Sequence, residues 1–174
     1  MSDLYDQVSE DQDPIKKLAG KIPGFSGYIE RENRRAADKL LRESIADRYE
    51  EIWKKISALQ KDLASDQSLE HLDDLETAAM KVQTFKDKIR TAAYGNSGFF
   101  DAVKVNEEEL AGLYEFDLAL LENADSVQAA VDNVETSVGE EGLPAAISHL
   151  VSLSRELVTV FEKRSEVINA SESV

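Results

Sequence analysis

Residues 23–42 carry the one local concentration of distinctive chemistry in this chain. An aromatic turn, Pro23-Gly24-Phe25-Ser26-Gly27-Tyr28, runs into five cations, Arg31, Arg34, Arg35, Lys39 and Arg42. Cations beside aromatic side chains suit a binding surface for a partner of opposite charge. Arg31, Arg34 and Arg35 fall in the first two turns of a helix, where the macrodipole disfavours positive charge, so they require nearby acids or a partner. Glu30 with Arg34 and Asp38 with Arg42 stand at i,i+4 spacing and offer acids for two of the five.

Other reactive constellations fail on inspection. The chain has no cysteine, which removes disulfides, thiolate metal sites and a thiol nucleophile, and permits a reducing compartment. A di-iron site in a helical bundle needs Glu three residues before each of two histidines, whereas Ser68 precedes His71 and Ala146 precedes His149. His71 reads as a solvated cap residue and His149 as a core-edge residue. Ser148 and His149 are adjacent on a helix and do not face each other, so they make no hydrolytic pair. Gly24-x-x-Gly27 and Gly95-x-x-Gly98 lack the Lys-Ser/Thr and strand context of a phosphate loop. No catalytic residue, metal ligand or cofactor is assigned.

The charge is unevenly spread. The net charge is -15, yet residues 14–61 hold 12 Lys/Arg against 7 Asp/Glu, and residues 62–174 hold 8 against 23. Such an acidic chain disfavours nucleic acid as a partner. The first residues, Met1-Ser2-Asp3-Leu4-Tyr5-Asp6, have neither the basic start nor the apolar stretch of a signal peptide, and no apolar run has the length of a membrane span. A cytoplasmic location is the expectation.

The positions that must hold the basic segment follow a helical rhythm. Residues 1–13 are acidic and nearly free of apolar side chains, which predicts a disordered tail. Asp13-Pro14 opens a short amphipathic helix with Ile15, Leu18, Ala19 and Ile22, stopped by Pro23-Gly24. From Tyr28 to about Ala64, residues Ala37, Leu41, Ile45, Tyr49, Ile52, Ile56, Leu59 and Leu63 recur at intervals of three and four, widened by Leu40 and Trp53. A second seam runs Leu72, Leu75, Ala79, Val82, Phe85, Ile89 and Ala93 and stops at Gly95; a loop from Gly95 to Val105 carries Phe99 and Phe100. A third runs Leu113, Phe116, Leu120, Ala124, Val127, Val131, Val134 and Val138 and predicts one long helix, with Asn123–Ser126 as its weakest stretch. The last contains Leu143, Ile147, Leu150, Leu157, Phe161 and Ile168, and Ser154 and Arg164 interrupt it where apolar residues are due.

These segments predict an all-α fold. Four long antiparallel helices form an up-down-up-down bundle, preceded by the short amphipathic helix and the acidic tail, with residues 14–170 as one domain. Each long helix should span roughly 38 to 55 Å at 1.5 Å per residue. An extended helical hairpin paired with a second copy is the alternative, so a homo-oligomer is allowed. Alternating directions bring the Phe25 turn beside the Phe99-Phe100 loop and gather Lys86, Lys88, Arg90, Lys104, Lys163 and Arg164 around the five cations. The opposite end collects Asp62, Asp66, Glu70, Asp73, Asp74, Glu76, Glu135, Glu140 and Glu141.

The run Gly24-Phe25-Ser26-Gly27-Tyr28 followed by Arg31-Glu32-Asn33-Arg34-Arg35-Ala36-Ala37-Asp38-Lys39 is similar to a group of small bacterial helical proteins. They share an aromatic Gly-x-Gly-Tyr turn leading into Arg-Glu-x-Arg-Arg-x-Ala-Asp-Lys. The resemblance covers residues 23–42 alone. It implies that turn and basic helix act as a unit, and brings no activity with it.

The expected function is non-enzymatic: a helical-bundle interaction or scaffold protein that binds an acidic protein partner through Phe25, Tyr28, Arg31, Arg34, Arg35, Lys39, Arg42, Phe99 and Phe100. Internal salt bridges and buried loop anchors are the competing roles for these residues. A peripheral accessory at an anionic membrane surface is the alternative function. A bundle enzyme or metal-storage protein is disfavoured by the missing ligands.

Overall fold

The structure, a computed structural model, describes residues 14–30, 34–66, 68–92 and 107–172. The expected tail, 1–13, and the Phe99-Phe100 loop lie outside them. The described residues are all-helical: α1 (Pro14–Lys21), α2 (Phe25–Glu30), α3 (Arg34–Ser65), a 3-10 turn at Leu69–His71, α4 (Leu72–Thr91), α5 (Glu107–Ser137) and α6 (Leu143–Glu172). No strand occurs among the described residues. None of these helices is long and apolar enough to cross a membrane.

The seams become the core. All eight apolar positions of the α3 pattern are buried, from Ala37 to Leu63. Leu75, Ala79, Val82, Phe85 and Ile89 of α4 join them, with Leu113, Leu120, Ala124, Val127, Val131 and Val134 of α5 and Leu143, Ile147, Leu150 and Leu157 of α6. Intervals of three and four residues keep these side chains on one stripe of each helix, and burying the stripes together is the main favourable term in folding. Aromatic edges knit three helices: Tyr49 meets Phe85 edge-on at 4.7 Å between ring centroids, and Phe85 meets Phe161 at 6.2 Å. The Tyr49 hydroxyl donates to the Leu120 carbonyl at 2.8 Å, so its buried polar end is satisfied.

Cross-helix bonds give the directions of the packed pairs. Between α3 and α4, Arg42 reaches the carbonyls of Ile89, Arg90 and Ala92, Asp47 pairs with Arg90, and Glu50 pairs with Lys86, so the two run in opposite senses. Between α3 and α5, Arg48 pairs with Asp125 and Lys55 with Asp132, so these run in the same sense. The packed long-helix pairs are α3 with α4, α5 with α6, α4 with α6 and α3 with α5. Among the described residues α4 and α5 are not a packed pair, although the expectation made all sequential helices neighbours. Helices that do not touch need a longer link, and residues 92–106 can reach about 3.3 Å per residue.

Two boundaries differ from the expectation. The segment after Pro23-Gly24 is helical over Phe25–Glu30, entered through Gly24 at φ +86, a left-handed conformation that glycine adopts without steric cost. Helix α4 ends at Thr91, four residues before Gly95, because Ala92 leaves the helix (φ -50, ψ 109) while its carbonyl is taken by Arg42 at 2.9 Å. Helix α5 is one long helix through Asn123–Ser126, as the seam predicts. Gly139, at φ +82, turns the chain between α5 and α6.

Candidate partner-binding end and its buried ionic layer

The aromatic turn is a buried anchor. Phe25 is fully buried and meets the Tyr114 ring edge-on at 5.6 Å, fixing α2 against α5. Tyr28 is half-buried against the core. Phe25 is therefore corrected from a docking residue to a core residue: a benzyl side chain at the start of a short helix is stabilised far more by burial than by standing in water.

Arg42 is corrected in the same way. It is 4% exposed, its Nε donates to Asp38 at 2.8 Å, and one Nη reaches the last carbonyls of α4. Those carbonyls have no partner within their own helix, and a guanidinium at the negative end of the dipole satisfies them. Arg164 of α6 is also buried: it donates to Asp117 of α5 at 2.7 and 3.5 Å and to Asp38 at 2.7 Å. Asp38, Arg42, Asp117 and Arg164 thus form one neutral layer, each 4% exposed or less, that joins α3, α5, α6 and the end of α4.

The electrostatics follow from this packing. Burial pushes the Asp117 carboxyl above the usual range, opposed by the charge of Arg164 and its hydrogen bond. Burial disfavours charge on Arg164, but Asp117 and Asp38 outweigh it and hold the guanidinium above its ordinary value. A second cluster lies nearer the surface, where Lys86 sits over the Trp53 ring at 5.1 Å and pairs with Glu50. The hydrogen bond from Lys86 holds the Glu50 carboxyl below the usual range.

Several cations expected at a binding end therefore face inward or meet acids. Lys86, Arg42 and Arg164 are buried, and Arg90 pairs with Asp47 at 2.8 Å. Lys39 stays exposed, with Glu43 at 3.9 Å, and Arg35 is exposed too. Arg34 is the first residue of α3. Arg31, Phe99 and Phe100 lie outside the described residues. Beside these, α1 presents Lys16, Lys17 and Lys21 to solvent while burying Leu18. The helix carries no acid, and sequence reasoning assigned its lysines no role.

Asp117 was the residue most easily missed. Its signal was a carboxylate seven residues before the seam position Ala124, which places it in phase with the core. His149 is exposed on α6 rather than at the core edge. His71 is half-buried at the start of α4, with its Nε2 3.3 Å from Glu70 and no capping bond from its side chain. Among the described residues, no three His, Asp or Glu side chains gather where they could hold a metal ion. Comparison with protein-family models, with curated proteins and with solved structures gives no match.

Proposed function

We propose that the protein is a non-enzymatic interaction or scaffold protein, an up-down-up-down four-helix bundle that engages an acidic protein segment through its N-terminal end. The opposite senses of α3 and α4, and the short connection between α5 and α6, support the bundle. The observation that carries the partner assignment is the set of exposed cations in the N-terminal part of the chain, Lys16, Lys17 and Lys21 on α1 with Arg35 and Lys39 on α3, two helices linked by α2, which packs on both. Their positive charge contrasts with the acidic remainder of the chain and would favour encounter with carboxylates. Residues 23–42 act as a unit in this proposal: the buried Phe25 fixes the turn, and the first turns of α3 carry the exposed Arg35 and Lys39.

The test uses the full chain and a fluorescent Glu/Asp-rich peptide, read by anisotropy at two salt concentrations. Binding should weaken with salt, and Lys16→Glu/Lys17→Glu/Lys21→Glu should weaken it by about tenfold or more with unchanged helix content. Arg31→Gln/Arg34→Gln/Arg35→Gln should act in the same direction. Binding to phosphatidylserine vesicles but not to the peptide would assign the end to an anionic membrane surface instead. Binding to neither, or peptide binding unaffected by both variants, would refute the proposal.

A further inference from the structure

The four residues of the buried ionic layer occupy core positions in series that are otherwise apolar, repeating every seven residues. In α3, Asp38 begins the series Ile45, Ile52, Leu59, and Arg42 begins Tyr49, Ile56, Leu63. In α5, Asp117 begins Ala124, Val131, and in α6 Arg164 ends Leu143, Leu150, Leu157. A seven-residue repeat has a specific weakness. Sliding one helix by a heptad, about 10.5 Å, places apolar residues on apolar residues again, so hydrophobic packing alone distinguishes registers poorly.

Connection lengths remove part of that ambiguity. Residues 66–71 join α3 to α4 and Val138–Gly142 join α5 to α6, which ties the axial offset within each hairpin. Along the chain the hairpins are joined through residues 92–106, whose extended reach exceeds a heptad slip, and Phe25 on Tyr114 and the Tyr49 hydroxyl on the Leu120 carbonyl also tie them together. The Asp38–Arg164 bond crosses from one hairpin to the other. In a slipped state Asp38 would face Leu157 or a residue beyond Arg164, and buried charge would lose its partner.

We propose that the Asp38–Arg42–Asp117–Arg164 layer is a register lock, which sets the axial offset of hairpin α5–α6 on hairpin α3–α4 and contributes little to net stability. Buried ion pairs are poor sources of stability relative to apolar replacements, and fixing register is their best-attested use.

The chain lacks cysteine, so engineered disulfides report register directly. Arg48 faces Asp125 and Lys55 faces Asp132, each pair one heptad from the other. The in-register reporter is Arg48→Cys/Asp125→Cys; the off-register reporters are Arg48→Cys/Asp132→Cys and Lys55→Cys/Asp125→Cys. With the native layer, only the in-register pair should oxidise rapidly. With Asp38→Leu/Arg42→Met/Asp117→Leu/Arg164→Met, the chain should stay folded and at least one off-register pair should form about tenfold faster or more, as expected when competing registers approach in free energy. Asp38→Asn, which nearly preserves shape while removing one charge, should raise off-register oxidation to a smaller extent. Off-register rates unchanged in both variants would overturn the proposal. So would failure of the four-residue variant to fold, since the layer would then be needed for stability itself.

Discussion

Replacing Arg164 by Met tests the difference between breaking a buried ion pair and replacing it. Arg164 is 3% exposed and donates three hydrogen bonds, two to Asp117 and one to Asp38. Asp38 keeps Arg42 at 2.8 Å when Arg164 is removed. Asp117, fully buried, loses the donor of both of its described side-chain hydrogen bonds. An uncompensated buried charge costs about 3 to 5 kcal/mol, a large part of the roughly 5 to 15 kcal/mol that stabilises a domain. Urea unfolding at pH 7 should show that loss as a lower midpoint with unchanged slope. Asp117→Leu/Arg164→Met should recover about 2 kcal/mol or more of the sum of the single losses, a coupling that a double-mutant cycle reads directly.

The pH dependence has a defined sign. Burial raises the folded-state pKa of Asp117, and without Arg164 only the charge of Arg42 opposes that rise. The folded state then binds a proton more readily than the unfolded state, so stability falls as pH rises through the interval from the ordinary Asp value to the raised one. The Arg164→Met defect should therefore be smaller in mild acid than at pH 8. A single-variant loss below about 1 kcal/mol, or strict additivity in the double variant, would refute the argument.

Other outcomes follow from the same packing. Ile56→Ala opens a cavity in the most regular stretch of α3 and should cost about 2 to 5 kcal/mol in denaturant melts. Burial, with the nearby Asp125 charge, holds the Tyr49 pKa far above its ordinary value, so the unfolded state alone ionises above about pH 10 and stability should fall by about 1.4 kcal/mol per pH unit beyond it; Tyr49→Phe should abolish that slope. Glu50, its pKa lowered by Lys86, contributes stability that is present above the ordinary Glu range and lost as pH falls through the folded value. The difference between wild type and Glu50→Gln in thermal melts should accordingly be present at pH 7 and shrink in acid.

The sequence alone determined the elements and their buried faces, since the period of apolar residues is a local property of the chain. Ala37 to Leu63 on α3 and Leu113 to Val134 on α5 required no knowledge of neighbours, and neither did the opening of α1 at Pro14. It also marked Ser154 and Arg164 as interruptions of the last seam and paired Asp38 with Arg42. Tertiary structure decided what those interruptions meet. Ser154 turns its hydroxyl to the Leu150 carbonyl in its own helix, whereas Arg164 finds Asp117 and Asp38 on two others. It also decided that Phe25 and Arg42 face inward, that α4 stops at Thr91, and that α3 lies beside α5 rather than α4 doing so. These outcomes depend on groups far apart in the chain. A guanidinium is drawn to whichever carboxylate or helix-end carbonyl the packing brings within about 3 Å, a choice that helical period does not encode.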